Sequence, residues 1–126
     1  MGITYDTGAL IAAERGDRSM WALHAGFLAE EVVPTVPAPV LAEAWRGDSR
    51  QANLSRLLAL CVIEGMGASH ARAVGELAGA SSHDDIVDVT VVEGAIRRHD
   101  AIVTADPDHL RSIANTARAT LHIESI

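Results

Sequence analysis

The sequence has no lysine, a single cysteine and few aromatic residues, and each shortage excludes a class of protein. Its ten basic residues are all arginine, so no lysine is available for a Schiff base or a Walker phosphate-binding loop. Cys61 cannot form an internal disulfide, and no Cys/His zinc spacing surrounds it. Because Phe, Trp and Tyr make up only 3% of the chain, the core must be aliphatic.

The chain also lacks long apolar runs and a positive net charge. No run is long enough to span a membrane. Residues 1–13 lack the basic start and apolar stretch of a signal peptide, so we expect a cytoplasmic protein. The formal net charge of −7 argues against broad contact with phosphates but allows a local arginine patch. The length of 126 residues, 48% of them hydrophobic, predicts one domain over residues 1–126.

Short apolar segments alternate with helical ones along the chain. Strands are predicted at 3–5, 32–36, 61–63, 101–104 and 121–123. Helices are predicted at 7–14, 19–31, 39–46, 69–80 and 84–98. Another is predicted to begin at Ser49 or Asn53 and to end near residue 60, and Pro107 opens a further one. Pro34 makes the second strand irregular or places it at an edge. The alternation predicts an α/β fold with a four- or five-stranded, mainly parallel sheet covered on both faces.

Two aspartates lie just after predicted strands. Asp6 follows strand 3–5, and Asp106 follows strand 101–104 with one residue between. Each also precedes a helix, so an ordinary helix cap would explain either of them. Ligands of parallel α/β sheets bind beyond the carboxyl ends of the strands. Both aspartates therefore also lie where a catalytic site is expected.

Two further acids, Glu43 and Asp88, lie within predicted helices. For Glu43, in helix 39–46, an ordinary solvent-facing acid is the simplest explanation. Asp88 has almost only apolar neighbours between residues 86 and 92, and a helix that is apolar nearly all round is buried. A buried carboxylate is costly unless it is paired or binds a metal, so the pattern favours a ligand role for Asp88.

If these four acids lie close together in the fold, they indicate which ion the site binds and which reaction it performs. Carboxylates within a few ångströms repel one another, and a hard divalent cation such as Mg²⁺ or Mn²⁺ relieves this because it takes oxygen ligands. Such an ion also activates water and bridges to phosphates. The residues thus point to hydrolysis of a phosphodiester.

In this order, the acidic segments resemble those of PIN-domain nucleases, in particular VapC-type toxins. The matching blocks span nearly the whole chain: Tyr5-Asp6-Thr7-Gly8-Ala9-Leu10, Leu41-Ala42-Glu43-Ala44-Trp45-Arg46, Asp85-Ile86-Val87-Asp88 and Ile102-Val103-Thr104-Ala105-Asp106-Pro107-Asp108-His109-Leu110. The resemblance implies a three-layer α/β/α PIN-like domain with the activity of a metal-dependent endoribonuclease toxin. It implies Mg²⁺ as the cofactor, with Mn²⁺ as a substitute, and RNA as the substrate. It also implies a homodimer and a cognate antitoxin that neutralises the activity.

The resemblance also assigns roles to individual residues. The catalytic and metal-binding acids are Asp6, Glu43, Asp88 and Asp106, with Asp85 as an additional direct or outer ligand. Arg46 and Arg50, together with Arg56, are predicted to form a basic strip that binds RNA phosphates, although a solvated helix face explains them equally well. His109 is expected near the site and is given no catalytic role.

One departure from the family pattern keeps other functions open. The family commonly has Ser after the Asp-Thr pair, where this chain has Gly8, so a hydroxyl near the metal is missing. A non-catalytic binding domain of PIN fold is therefore an alternative. Asp6-Thr7-Gly8 also matches the short motif of homodimeric aspartic proteases, but those enzymes are built of β-strands and the helical segments here argue against them.

Overall fold

The computed structural model describes residues 2–126, in which five short strands form one sheet. The strands are β1 (Ile3–Tyr5), β2 (Thr35–Pro37), β3 (Val62–Glu64), β4 (Ala101–Thr104) and β5 (His122–Ser125). Their order across the sheet is β3-β2-β1-β4-β5, and every neighbouring pair is parallel. The prediction of a four- or five-stranded, mainly parallel sheet is confirmed.

Helices cover both faces of this sheet. They are α1 (Thr7–Glu14), α2 (Arg18–Ala29), α3 (Ala38–Ala44), α4 (Ala52–Leu58), α5 (Ala68–Ser81), α6 (Ile86–Arg98) and α7 (Pro107–Thr116), and a 3-10 turn at Ser49–Gln51 precedes α4. Helix α1 packs against α2, α3 and α4, whereas α6 packs against α5 and α7. This is the expected three-layer α/β/α arrangement. None of these helices, within residues 2–126, has the length and hydrophobicity that a membrane span requires.

The second strand differs from its prediction. It begins at Thr35 instead of residue 32, and it lies between β1 and β3 instead of at an edge. Proline has no N–H to donate to a neighbouring strand. Because the strand starts after Pro34 and ends at Pro37, the interior of the sheet tolerates both prolines. The edge positions belong to β3 and β5.

Helix α6 is the buried helix that its apolar sequence predicts, with Val89, Val91 and Val92 fully buried. At its C-terminal end, the Arg98 guanidinium donates to Thr4 Oγ1 of β1 at 2.9 Å and to Asp100 Oδ2 at 2.9 Å. Because β4 starts directly after α6 ends, the helix and the strand run in opposite directions. The N-terminus of α6 therefore lies at the carboxyl end of the sheet.

Candidate metal centre

Three helices begin near the carboxyl ends of the adjacent strands β1 and β4. Helix α1 follows β1 through Asp6, and α7 follows β4 through Asp106. The third, α6, has Asp85 as its N-cap. The register pairs Tyr5 with Val103, and the Asp6 N–H donates to the Val103 carbonyl at 3.3 Å. The two aspartates that follow these strands thus start from neighbouring strand ends.

Asp6 is a true helix cap, and it is also a buried acid. Its Oδ1 accepts a hydrogen bond from the Ala9 N–H at 2.9 Å, and only 6% of the residue is exposed. Burial raises the pKa of Asp6 above its usual value, and the nearby Asp106 carboxylate adds to this, while hydrogen bonds from Thr104, Ala9 and Gly8 oppose it. Since a carboxylate has two oxygens, the cap is compatible with a ligand role.

Asp106 occupies the cap position of α7 without acting as a cap. Its side chain makes no capping hydrogen bond. Its backbone N–H instead donates to Thr104 Oγ1 at 2.9 Å. The explanation of Asp106 as an ordinary cap is therefore not supported, and its exposed carboxylate is close enough to Asp6 to affect the pKa of Asp6.

Asp85 and Asp88 form a close pair in the first turn of α6. Asp85 Oδ1 accepts from the Asp88 N–H at 3.2 Å and caps the helix. Burial and the Asp85 carboxylate raise the pKa of Asp88 to about 6, Asp6 adds to the effect, and His109 opposes it. The pair is therefore within electrostatic reach of Asp6. Asp85, and not its neighbour Asp84, is the member of the Asp84-Asp85 doublet that joins this group.

His109 forms a cluster with Asp85 and Asp88. The Nε2 atom of His109 lies 2.9 Å from Asp88 Oδ2, and the metal-binding atoms of Asp85, Asp88 and His109 all lie within 4.8 Å of one another. The sequence predicts that His109 lies near the site but indicates no role for it. Its place in the first turn of α7, just beyond the end of β4, brings it to this edge of the sheet, and its contact with Asp88 in the structure makes it part of the group.

Among residues 2–126, Glu43 is not part of the cluster of possible metal ligands. It is exposed on α3, and within residues 2–126 it makes no hydrogen bond or ion pair to the other acids. Helix α3 does pack against α1 and α6, the two helices that begin with Asp6 and Asp85. A metal-binding role for Glu43 stays a prediction.

The three arginines of the predicted basic strip have different surroundings, and the strip stays a prediction. The Arg46 guanidinium donates to the carbonyls of Ala42 at 3.3 Å and Trp45 at 2.7 Å, so it folds back on the end of α3. Arg50 is exposed. Arg56 instead lies over the ring of Trp21, 5.0 Å from the ring centroid, and this contact turns it toward α2.

The residues of the group fit a divalent cation. Asp6 is buried and Asp88 is half-buried. Burial, and after it the nearby carboxylates, raise the pKa of both residues, and a cation relieves the repulsion between such carboxylates. The hydroxyl oxygen of Thr7, next to Asp6, is buried and has no hydrogen-bond partner among residues 2–126, although buried polar atoms ordinarily have one. Mg²⁺ and Mn²⁺ take oxygen ligands, and Asp85 and Asp88 offer carboxylate oxygens within the cluster. Asp6 and Asp106 lie outside that cluster and follow the adjacent strands β1 and β4.

Gly8 allows a close approach between α1 and the segment after β4. A Cβ at this position would lie 3.2 Å from the Ala105 Cβ and 3.4 Å from Asp6 Oδ1. The serine that is usual here in PIN domains would therefore crowd Ala105. The absence of the hydroxyl matches the local packing of this chain.

The fold is similar to that of solved toxin–antitoxin proteins. VapBC2 from Rickettsia felis, solved bound to a DNA fragment from its promoter, has a chain that is 19% identical, with a TM-score of 0.74 over 100% of this chain and 99% of that chain. FitAB, solved bound to the IR36 DNA fragment, has a chain that is 14% identical, with a TM-score of 0.67 over 98% and 94%. No family model and no curated protein matches the sequence. The likeness confirms the expected PIN-type fold.

That fold rules out the aspartic-protease alternative. Asp6-Thr7-Gly8 begins helix α1 in a parallel α/β protein, whereas the protease motif belongs to an all-β enzyme. The coincidence of three residues arises because Asp is a favoured helix cap.

Proposed function

We propose that this chain is a single PIN domain that acts as a metal-dependent endoribonuclease toxin of the VapC type. The observation that carries the proposal is the cluster of Asp85, Asp88 and His109 at the start of α6 and α7. Asp6, which affects the pKa of Asp88, and Asp106, which affects the pKa of Asp6, follow the adjacent strands β1 and β4. The whole-chain likeness to structures of toxin–antitoxin proteins supports it. The reaction is hydrolysis of an RNA phosphodiester bond.

The acidic residues would bind the metal ion, and the helix N-termini beside them would favour negative charge. The four aspartates would hold Mg²⁺, for which Mn²⁺ can substitute, and Glu43 would join them from α3. When bound, the ion lowers the pKa of water and stabilises negative charge on phosphate oxygens. The N-termini of α1, α6 and α7 carry partial positive charge near the carboxyl ends of β1 and β4, which favours both the carboxylates and an incoming phosphate.

We infer three further properties of the toxin. A cognate antitoxin neutralises it, because the similar structures include complexes named as VapBC2 and FitAB. The chain forms a homodimer, and it acts in the cytoplasm, where RNA is available. Exposed apolar side chains on the edge strand and the preceding loop, at Leu60, Val62 and Ile63, support association with another chain.

The test is cleavage of total RNA and of short single-stranded RNA by the purified chain with Mg²⁺, with Mn²⁺ and with EDTA. We expect cleavage that needs the metal and that is lost in Asp6→Asn and Asp106→Asn. Cleavage that continues in EDTA, or full activity in both variants, would refute the metal-dependent site. RNA binding without cleavage under all conditions would instead support the non-catalytic alternative.

A further inference from the structure

The imidazole of His109 makes the inner part of the site chemically different from an all-carboxylate centre. Its Nε2 lies 2.9 Å from Asp88 Oδ2, and the ligand atoms of Asp85, Asp88 and His109 lie within 4.8 Å of one another. Two carboxylate oxygens and one imidazole nitrogen therefore converge on a volume the size of a coordination sphere.

Further contacts restrain two of these three side chains, His109 and Asp85. The His83 ring packs edge-on against His109, with 4.8 Å between the ring centroids and 77° between the planes, and His83 Nε2 is bonded to Ser112 Oγ at 3.1 Å. On the other side, the Asp88 N–H binds Asp85 Oδ1. The ring contact restricts the orientation of His109, and the hydrogen bond restricts that of Asp85.

The donor set discriminates between metals. Mg²⁺ binds oxygen ligands and keeps several waters, whereas imidazole suits divalent transition ions, whose affinity rises from Mn²⁺ through Co²⁺. A site that offers one nitrogen thus gains affinity for transition ions without a matching gain for Mg²⁺.

We propose that His109 is a metal ligand and that Asp85, Asp88 and His109 form a mixed carboxylate–imidazole centre that prefers Mn²⁺ or Co²⁺ to Mg²⁺. This inference rests on the proposed function in that it concerns the same site, and it changes the identity of the preferred ion. An alternative role for His109 is an ion pair with Asp88 that leaves when the metal binds.

The experiment compares the metal-free full chain with His109→Ala, Asp88→Asn and the control His122→Ala, which removes an exposed imidazole from β5 outside the cluster. Titrations with Mg²⁺, Mn²⁺ and Co²⁺ follow the melting temperature. Co²⁺ titrations also follow its visible absorption, which changes with the geometry and the ligand set of the ion. We expect His109→Ala to weaken Mn²⁺ and Co²⁺ binding by about tenfold or more, to leave Mg²⁺ binding nearly unchanged and to alter the Co²⁺ spectrum. Asp88→Asn should weaken all three, and His122→Ala should behave as the parent.

The outcomes separate this inference from the proposed nuclease activity. Unchanged or tighter Mn²⁺ and Co²⁺ binding in His109→Ala, with an unchanged Co²⁺ spectrum, overturns the inference even if the parent cleaves RNA. An equal loss for all three metals also overturns it, because His109 would then act through Asp88. If the metal preference disappears in His109→Ala while the parent cleaves no RNA with any metal, the ligand assignment stands and the proposed function fails.

Discussion

At the scale of single residues, Asp88 provides the sharpest test of the site. Its pKa is raised to about 6 by burial and by Asp85, so its ionisation opposes folding. Without metal, the parent should lose stability as the pH rises from about 4 to about 7, by on the order of 2 kcal/mol from this group. Asp88→Asn lacks this loss and should be the more stable protein at neutral pH in EDTA.

Denaturant unfolding of both proteins across this pH range, in EDTA and with metal, measures the effect. With saturating metal the order reverses, since the parent gains about 2.7 kcal/mol at one hundred times the Kd and the variant gains far less. A variant less stable than the parent in EDTA at neutral pH would show that Asp88 is a structural ion-pair partner of His109 instead.

Gly8 gives a second test at this scale. A Cβ would lie 3.2 Å from the Ala105 Cβ, so Gly8→Ala should destabilise the chain by about 1 kcal/mol through overpacking. Gly8→Ser adds only the missing hydroxyl to the same Cβ. If the hydroxyl matters to the metal, Gly8→Ser should show a larger metal-induced rise in melting temperature than Gly8→Ala. Equal rises in the two variants would show that the departure from the family pattern has no effect on the metal.

At the scale of elements, helix caps and metal ligands make separable predictions. Asp85 caps α6 through Oδ1, and Asn caps as well as Asp, whereas Ala costs about 1 kcal/mol. Asp85→Asn should therefore keep the metal-free stability and lose much of the metal response, while Asp85→Ala should lose both. Thermal melts with EDTA and with metal distinguish them. If metal raises the melting temperature of Asp85→Asn as much as that of the parent, Asp85 serves only as a helix cap.

The elements also show what the sequence can and cannot predict. Helix α1 and strand β4 have the predicted bounds, because Asp6 and Pro107 mark where helices begin and because Ala101–Thr104 is wholly apolar apart from its last residue. The position of β2 inside the sheet was not predictable from Pro34 alone. Strand order depends on which helices cross which face, and a local pattern does not contain that information.

The sequence indicates some residues of the candidate site and not others. Asp6 and Asp106 follow from the rule that parallel sheets bind ligands at the carboxyl ends of strands. Asp88 follows from its apolar surroundings. His109 was not assigned a role because its contact with Asp88 joins two helices, α7 and α6, and no spacing in the sequence reports such a contact. Glu43 rests on the family resemblance alone.

At the scale of the whole molecule, a net charge of −7 must be reconciled with an anionic substrate. Repulsion between the chain and RNA leaves binding to the metal and to a few arginines, so the affinity should fall only modestly with salt. Arg46 and Arg50 are the candidates, since both are exposed near the end of α3. Arg46 already donates to two carbonyls, but a guanidinium has five donors and can still contact a phosphate.

Arg46→Ala with Arg50→Ala should therefore weaken binding to single-stranded RNA and flatten the dependence of log K on log salt by roughly 1.4, the value for two lost phosphate contacts. Metal binding should not change. The matched control is Arg18→Ala with Arg72→Ala, which also removes two positive charges, but from exposed positions on α2 and α5. Binding isotherms at several salt concentrations, in Ca²⁺ or with Asp6→Asn to prevent cleavage, give the slopes. If both double variants flatten the slope equally, only the overall charge of the chain affects RNA binding. If only the variant lacking Arg46 and Arg50 flattens it, these two residues mark the surface along which RNA approaches the acids.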